Sequence, residues 1–347
     1  MRLIYVRRNS LVVAATGIYV LQVSDLSIQY RSEEAATRAV DCVSFSLAAA
    51  EAVGLLGESG CGKTTLARAL LRLLPPEAHT CGGAIHFREQ NVMALTREQL
   101  RQLRGSAIAL IAQDPAQALN PVLSVGDQVA EVLRGHSSLA RAERKRRVLE
   151  TLTEVGFADA RAVYGRYPHQ LSGGERQRAA IAQAVVCRPA LLIADEPTTK
   201  LDARLQSELL ALFASLRQRH QMALLLISHD PSILAANTER LLVMYGGEIV
   251  ESAATAELLR NPLHPYTQAL LRLAHERTWM HGDAGSPTWD EGQMRGRFSA
   301  IPGQAPHSSL SGCRFEPRCT QRMPHCAERP PATTQHAGHQ LRCFKYE

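Results

Sequence analysis

The chain has 347 residues, 45% of them hydrophobic and 21% charged, which excludes a disordered polymer and leaves a folded globular protein. That length exceeds what one ordinary core organises, so one large domain with an appendage is expected. The formal charge of +6 suits a nucleic-acid patch and an acidic membrane surface equally well, and no run of 18 apolar residues is present to span a bilayer.

At the N-terminus, Arg2, Arg7 and Arg8 precede a short apolar run, faintly like a signal peptide. The run passes without a spacer into strand-like residues 20–23, so residues 1–18 are read as a poorly ordered extension. Five short apolar runs follow: 53–56, 108–112, 191–194, 223–227 and 241–245. Strands without polar alternation are buried on both faces, as in a mainly parallel sheet covered by helices. Between them lie helix-like segments such as 175–187, with Ala179, Ala182 and Val186 on one face and Pro189 beyond the end. The fold class is therefore α/β, with a helical insertion at about 115–185 that includes the charged stretch 141–154. A nucleotide-type domain over 19–265 and a C-terminal extension over 266–347 are expected, with the polar stretch 275–296 as a linker.

Gly57-Glu-Ser-Gly-Cys-Gly-Lys-Thr64 matches G-x-x-x-x-G-K-[ST] in full, after a strand and before a helical segment. Gly57, Glu58, Ser59, Gly60, Cys61 and Gly62 would wrap backbone N–H groups around phosphates. Lys63 is placed to reach the β- and γ-phosphates, and the Thr64 hydroxyl to help hold Mg²⁺, with Thr65 following. Leu191-Leu-Ile-Ala-Asp-Glu-Pro197 supplies the acidic complement. Its buried strand delivers Asp195 as an oxygen ligand for Mg²⁺ and Glu196 as the base for attacking water.

Leu171-Ser-Gly-Gly-Glu-Arg-Gln-Arg178 opens a helix with Ser172, Gly173, Gly174 and Glu175, a second anion site in its own right. This segment closely resembles the signature of the ABC ATPases. The resemblance implies a P-loop NTPase core and a head-to-tail dimer in which the signature closes on ATP held by the opposite subunit. It further implies that Gln113 senses Mg²⁺ and water, that His229 contacts the γ-phosphate, that Asp202 communicates across the dimer and that Tyr30 stacks on adenine. Alone, Tyr30 would be an ordinary strand tyrosine. Lys200 departs from the family, which has a small residue there; a long cation would add a contact, loosen closure or simply be solvated.

Gln113-Asp-Pro-Ala-Gln-Ala-Leu-Asn-Pro121 and Asn261-Pro-Leu-His-Pro-Tyr-Thr267 resemble segments of importers of dipeptides, oligopeptides and nickel. Such a subunit would sit peripherally on the cytoplasmic face of the bacterial inner membrane. Its partners would be a second ATPase subunit (a copy or a paralogue), two transmembrane permease subunits and an extracytoplasmic solute-binding protein. The tail carries Cys313, Cys319, Cys326 and Cys343, spaced x5, x6 and x16, and is too small for a substantial core of its own, so a staple is expected. The four thiols resemble the family's terminal motif, which in some members holds a [4Fe-4S] cluster; tetrahedral zinc suits them too, and disulfides are disfavoured in a reducing compartment. The rival reading is a soluble ABC ATPase acting on ribosome or nucleic acid. A single phosphate loop, a single signature and the absence of sustained heptads count against it, and no nucleic-acid partner is expected.

Overall fold

A computed structural model describes residues 19–31, 36–114, 118–199, 201–280, 301, 303 and 311–347, with the side chains of 275–280 left aside. The N-terminal extension, Lys200 and residues 281–300 lie outside the described residues.

The chain begins with two long strands, β1 (Tyr19–Arg31) and β2 (Ala36–Ala48), before the buried β3 (Ala52–Leu56) and the helix α1 (Lys63–Leu70). Next come β4 (Ala78–Phe87), β5 (Gln90–Asn91), α2 (Arg97–Leu103) and β6 (Ile108–Ile111). The helical insertion then supplies α3 (Val125–His136), α4 (Arg141–Glu154), α5 (Ala160–Tyr164) and α6 (Gly173–Val185). The chain returns through β7 (Leu191–Asp195), α7 (Ala203–His220), β8 (Ala223–Ser228), α8 (Pro231–Asn237), β9 (Arg240–Tyr245) and β10 (Glu248–Ala254). It ends with α9 (Thr255–Arg260), α10 (Pro265–Met280), β11 (Thr334–His336) and β12 (His339–Leu341).

Eight strands form one sheet in the order β11-β12-β10-β9-β3-β8-β7-β6. Its centre, from β9 to β6, is parallel; the β10, β12 and β11 edge is antiparallel. Alternate residues of the central strands feed two cores: Leu192, Ala194, Leu224 and Leu226 on one face, Leu191, Ile193, Leu225 and Ile227 on the other. This double burial is why the sequence runs carry no polar alternation. All five apolar runs are strands, to within a residue or two.

A second sheet, β2-β1-β4-β5, is antiparallel and packs with α1 into the second core. Only its first few residues stand out in the sequence. Its long strands mix buried and exposed positions and carry repeated register shifts, so neither an apolar run nor clean alternation survives.

The insertion is helical as expected, and α4 begins and ends where its charged stretch does. Of the linker expected over 275–296, residues 275–280 are helical, because α10 continues to Met280: once Pro265 starts the helix, each added residue gains a backbone hydrogen bond. The remainder lies outside the described residues. The tail is also joined to the rest of the fold. Strand β12 pairs with β10 through Glu251↔Leu341 and Ser252↔Gln340, and Ile301 and Phe315 are buried in the main core. The extension shares the nucleotide domain's sheet and apolar interior. Fully buried Glu251 pins the junction: its carboxylate accepts from the Leu263 and His264 N–H groups (2.9 and 3.1 Å) and shares a 2.8 Å hydrogen bond with His339 Nδ1.

Candidate functional site

The loop between β3 and α1 is shaped by glycine where no other residue fits. Gly62 has φ 109°, and a Cβ there would lie 2.2 Å from the Ala39 carbonyl oxygen. As the N-cap of α1 it contributes no side chain, and the first turn holds no acidic residue, so the helix start is left to an external anion. Lys63, 5% exposed, donates from Nζ to the carbonyls of Gly57 (2.8 Å) and Glu58 (2.9 Å) and lies 3.8 Å from Glu196 Oε1. Tyr30 approaches the same helix from β1, its hydroxyl 3.2 Å from Thr65 Oγ1.

Parallel strands β7 and β8 bring the acidic pair and the histidine to one end of the sheet. Asp195 is 4% exposed and hydrogen-bonded to Thr64; burial, with Glu196 beside it, pushes its carboxyl above the usual range despite that bond. Its Oδ1 is buried with no hydrogen-bond partner. A desolvated oxygen beside a threonine hydroxyl is what a hard divalent cation uses, so Thr64 and Asp195 fit Mg²⁺. Glu196 follows with a left-handed backbone (φ 48°), a conformation that costs a non-glycine residue about 1 kcal/mol or more. Its Oε2 accepts from Thr199 Oγ1 (3.1 Å), lies 3.4 Å from His229 Nδ1, and meets Gln113 Nε2 at a long 3.5 Å. Gln113, His229, Lys63 and the acidic pair therefore converge.

Ser172, Gly173, Gly174 and Glu175 form a second, separate helix start. Ser172 caps α6 by accepting from the Glu175 N–H (3.3 Å), and the Glu175 carboxylate accepts from the Ser172 N–H (2.8 Å). That backbone bond lowers the Glu175 carboxyl below its usual range. A Cβ at Gly173 would meet nothing, so the tip faces open space. Among the described residues, no hydrogen bond or ion pair joins these residues to the loop 57–64. Asp202 caps α7 by accepting from the Leu205 N–H (2.9 Å).

Several contributors had no local sequence signal. Thr199 holds Glu196, and Gln177 on α6 donates to the Pro197 carbonyl (2.6 Å), tying the signature helix to the turn after Glu196. Tyr266 and Arg318 reach the phosphate loop from the C-terminal extension: the Glu58 N–H donates to the Tyr266 hydroxyl (3.0 Å), and Arg318 pairs with the Glu58 carboxylate (2.8 Å).

In the tail, Cys313, Cys319, Cys326 and Cys343 are free thiols close enough to perturb one another electrostatically. Burial is the main cause that pushes Cys313 up to about 12 and raises Cys319 and Cys343. Backbone N–H groups of Phe315, Gln321, Met323 and Lys345 face the sulfurs of Cys313, Cys319, Cys326 and Cys343 respectively, the polar environment a thiolate needs. Among the described residues, no three His, Cys, Asp or Glu side chains converge closely enough to hold one metal ion.

The profile of the family described as ABC transporter matches residues 40–199, and that described as oligopeptide/dipeptide transporter, C-terminal region, matches residues 250–326. The chain is 41% identical over 332 residues to the probable peptide ABC transporter ATP-binding protein y4tR of Sinorhizobium fredii, covering 94% of each. It is 37% identical over 326 residues to the dipeptide transport ATP-binding protein DppD of Escherichia coli, covering 93% of this chain and 95% of that protein. Among solved structures it is similar to cbiO1 from Clostridium perfringens, part of the ABC transporter complex cbiONQ (TM-score 0.61, 26% identity, 76% of this chain and 99% of that one). The dimeric ATP-binding cassette MJ0796 bound to ADP and Pi shares the fold (TM-score 0.60, 24% identity, 68% and 98%).

Proposed function

The chain belongs to the ATP-binding subunits of ABC transporters, and on that premise we propose that its ATP hydrolysis powers import of peptides, with dipeptides and oligopeptides as the first substrates to try. The observation that carries this reading is one chain holding both the converged nucleotide site and the extension matched by the oligopeptide/dipeptide region. Nickel and other small solutes are the second choice, on sequence resemblance alone. A ribosome- or nucleic-acid-directed ABC ATPase is not favoured, since the relatives are transporter subunits along nearly their whole length.

ATP lays its phosphates on the loop 57–64 and the open start of α1. Lys63 exchanges the Gly57 and Glu58 carbonyls for the β- and γ-phosphates. Thr64, Asp195 and Gln113 are the residues to hold Mg²⁺, which when bound neutralises phosphate charge. Glu196, held by Thr199 and facing His229, takes the proton of the attacking water. Ser172, Gly173 and Gly174 of a second ATPase subunit complete the site from the other side of the γ-phosphate. Only ATP bridges both surfaces, so binding favours closure and hydrolysis reverses it.

No helix among the described residues is long and apolar enough to cross a membrane, and a peripheral place against permease subunits at the cytoplasmic face suits the chain. Val122, Leu123 and Tyr167 are exposed large apolar side chains of the helical insertion, and they are the surface we assign to those permeases. To the four tail cysteines we assign, on sequence resemblance and against the spacing seen in this structure, a metal group, a [4Fe-4S] cluster before zinc. Support comes from the thiol set and its N–H donors; iron, sulfide and zinc analysis of anaerobically purified protein distinguishes the two, and metal-free protein with a folded tail rejects both.

Affinity purification of the chain from native membranes tests the main reading. Co-purified permease subunits whose ATPase activity rises with a peptide-loaded binding protein support it. Ribosomal or DNA-bound partners, or activity indifferent to peptide, refute it.

A further inference from the structure

Glu58 lies inside the phosphate loop, yet both its backbone and its side chain are held from the C-terminal extension. Its N–H donates to the hydroxyl of fully buried Tyr266, 208 positions away. Its carboxylate receives both guanidinium arms of Arg318, 260 positions away: Nη1 to Oε2 at 2.8 Å and Nη2 to Oε1 at 3.1 Å. A bidentate pair of this kind fixes direction as well as distance. Arg318 is itself fixed, for its side chain is 5% exposed and also donates to the Ile301 carbonyl (3.0 Å) and the Tyr245 hydroxyl (3.3 Å).

The platform behind this contact is rigid. Tyr245, Tyr266 and Phe315 pack with ring centroids 4.5 to 5.5 Å apart. Four residues before Arg318, buried Arg314 pairs with Asp41 and Glu248 and donates to the Gly246 carbonyl. The Glu58 carbonyl in turn receives Lys63 Nζ, so whatever places Glu58 also places the resting lysine.

We propose that Arg318 and Tyr266 are positioning residues for ATP binding, and that the C-terminal extension braces the phosphate loop from behind. Arg318 has two effects at once. It holds the backbone from which Lys63 departs, and it neutralises a carboxylate that would otherwise turn its charge toward incoming phosphates. The second effect gives the brace a distinctive sign: neutralising Glu58 compensates for loss of Arg318. A purely structural ion pair would show that rescue in melting temperature alone; the brace shows it in ATP affinity of variants that are already folded.

The test is the Kd of the full-length chain for a slowly hydrolysed ATP analogue with Mg²⁺, on variants whose melting shows them folded. Arg318→Met weakens binding by about tenfold, and adding Glu58→Gln restores it to within about threefold of the parent. In the assembled transporter the loss falls on KM for ATP rather than on kcat. Should Arg318→Met not fold, Arg318→Lys, which keeps the charge but loses the fork, and Tyr266→Phe carry the same measurement, each with a smaller weakening. Binding within twofold of the parent in the folded Arg318 variants, or a double variant no better than the single, overturns the brace. The proposal rests on residues 57–64 being the phosphate loop, and Lys63→Ala separates the two. Undiminished binding in Lys63→Ala rejects the loop itself; binding lost there but retained in Arg318→Met rejects only the brace.

Discussion

The starts of α1 and α6 are both glycine-bearing helix N-termini, but their local chemistry is opposite. At α1 the N-cap is Gly62, which brings no side chain; an adjacent lysine rests on carbonyl oxygens, and a buried aspartate oxygen beside the site has no partner. At α6 a capping box takes up the Ser172 and Glu175 N–H groups, with the Glu175 carboxylate at the tip, and leaves those of Gly173 and Gly174 to an outside acceptor. The first is electrostatically unfinished and takes an anion directly. The second is partly satisfied within its own chain and carries the Glu175 carboxylate, which disfavours an anion held there by this tip alone. This contrast is what the proposed function requires: ATP held first by the loop 57–64 and second by a facing signature.

The largest effects break this comparison on the loop side. Glu196→Gln lowers kcat by about a thousandfold while ATP binding persists, measured by steady-state turnover and nucleotide binding on the same preparation. Near-normal turnover removes Glu196 as the base. On the other side, Ser172→Ala lowers turnover of the assembled complex by about tenfold, leaves ATP affinity of the isolated chain unchanged, and costs roughly 1 kcal/mol of stability through the lost cap. An affinity change as large as that of a loop variant would erase the distinction between the two helix starts.

Smaller effects sharpen it. The raised carboxyl of Asp195 favours the fold while protonated; that contribution is lost as pH rises through its raised value, and near neutral pH the buried charge is a cost. Asp195→Asn therefore raises Tm of the nucleotide-free chain by about 2 °C at pH 7 while abolishing Mg²⁺-dependent hydrolysis. Glu175 has the opposite sign. Its lowered carboxyl stabilises above the ordinary carboxyl value, and the contribution is lost as pH falls through the lowered one. Thermal melts of Glu175→Gln and the parent should thus converge at acid pH, the smallest of these shifts.

What was legible in the sequence follows from where information is local. The β3–α1 loop, the Asp195 strand and the Ser172 cap each lie within a few consecutive residues, and their types dictate their geometry. Strands β3 and β6 to β9 were legible because burial on both faces confines polar residues to their ends. The β1–β2–β4 sheet was not, since its bulges scramble any period of two. Nor could Tyr266 and Arg318 be assigned to the phosphate loop, because their contacts span more than 200 positions and depend on the extension joining the main sheet. Thr199 and Gln177 show the same limit at shorter range: each is unremarkable in its own segment and acquires a role only once β7 and α6 are packed.

The composite site is tested most directly by the mass of the Glu196→Gln chain, alone and with its transporter's second ATPase subunit, with and without saturating Mg-ATP. ATP-dependent pairing that disappears when Ser172→Ala and Gly173→Asp are introduced is the predicted result. Chains that stay apart from every partner at saturating ATP, or that pair regardless of nucleotide and signature, contradict a γ-phosphate shared between two subunits.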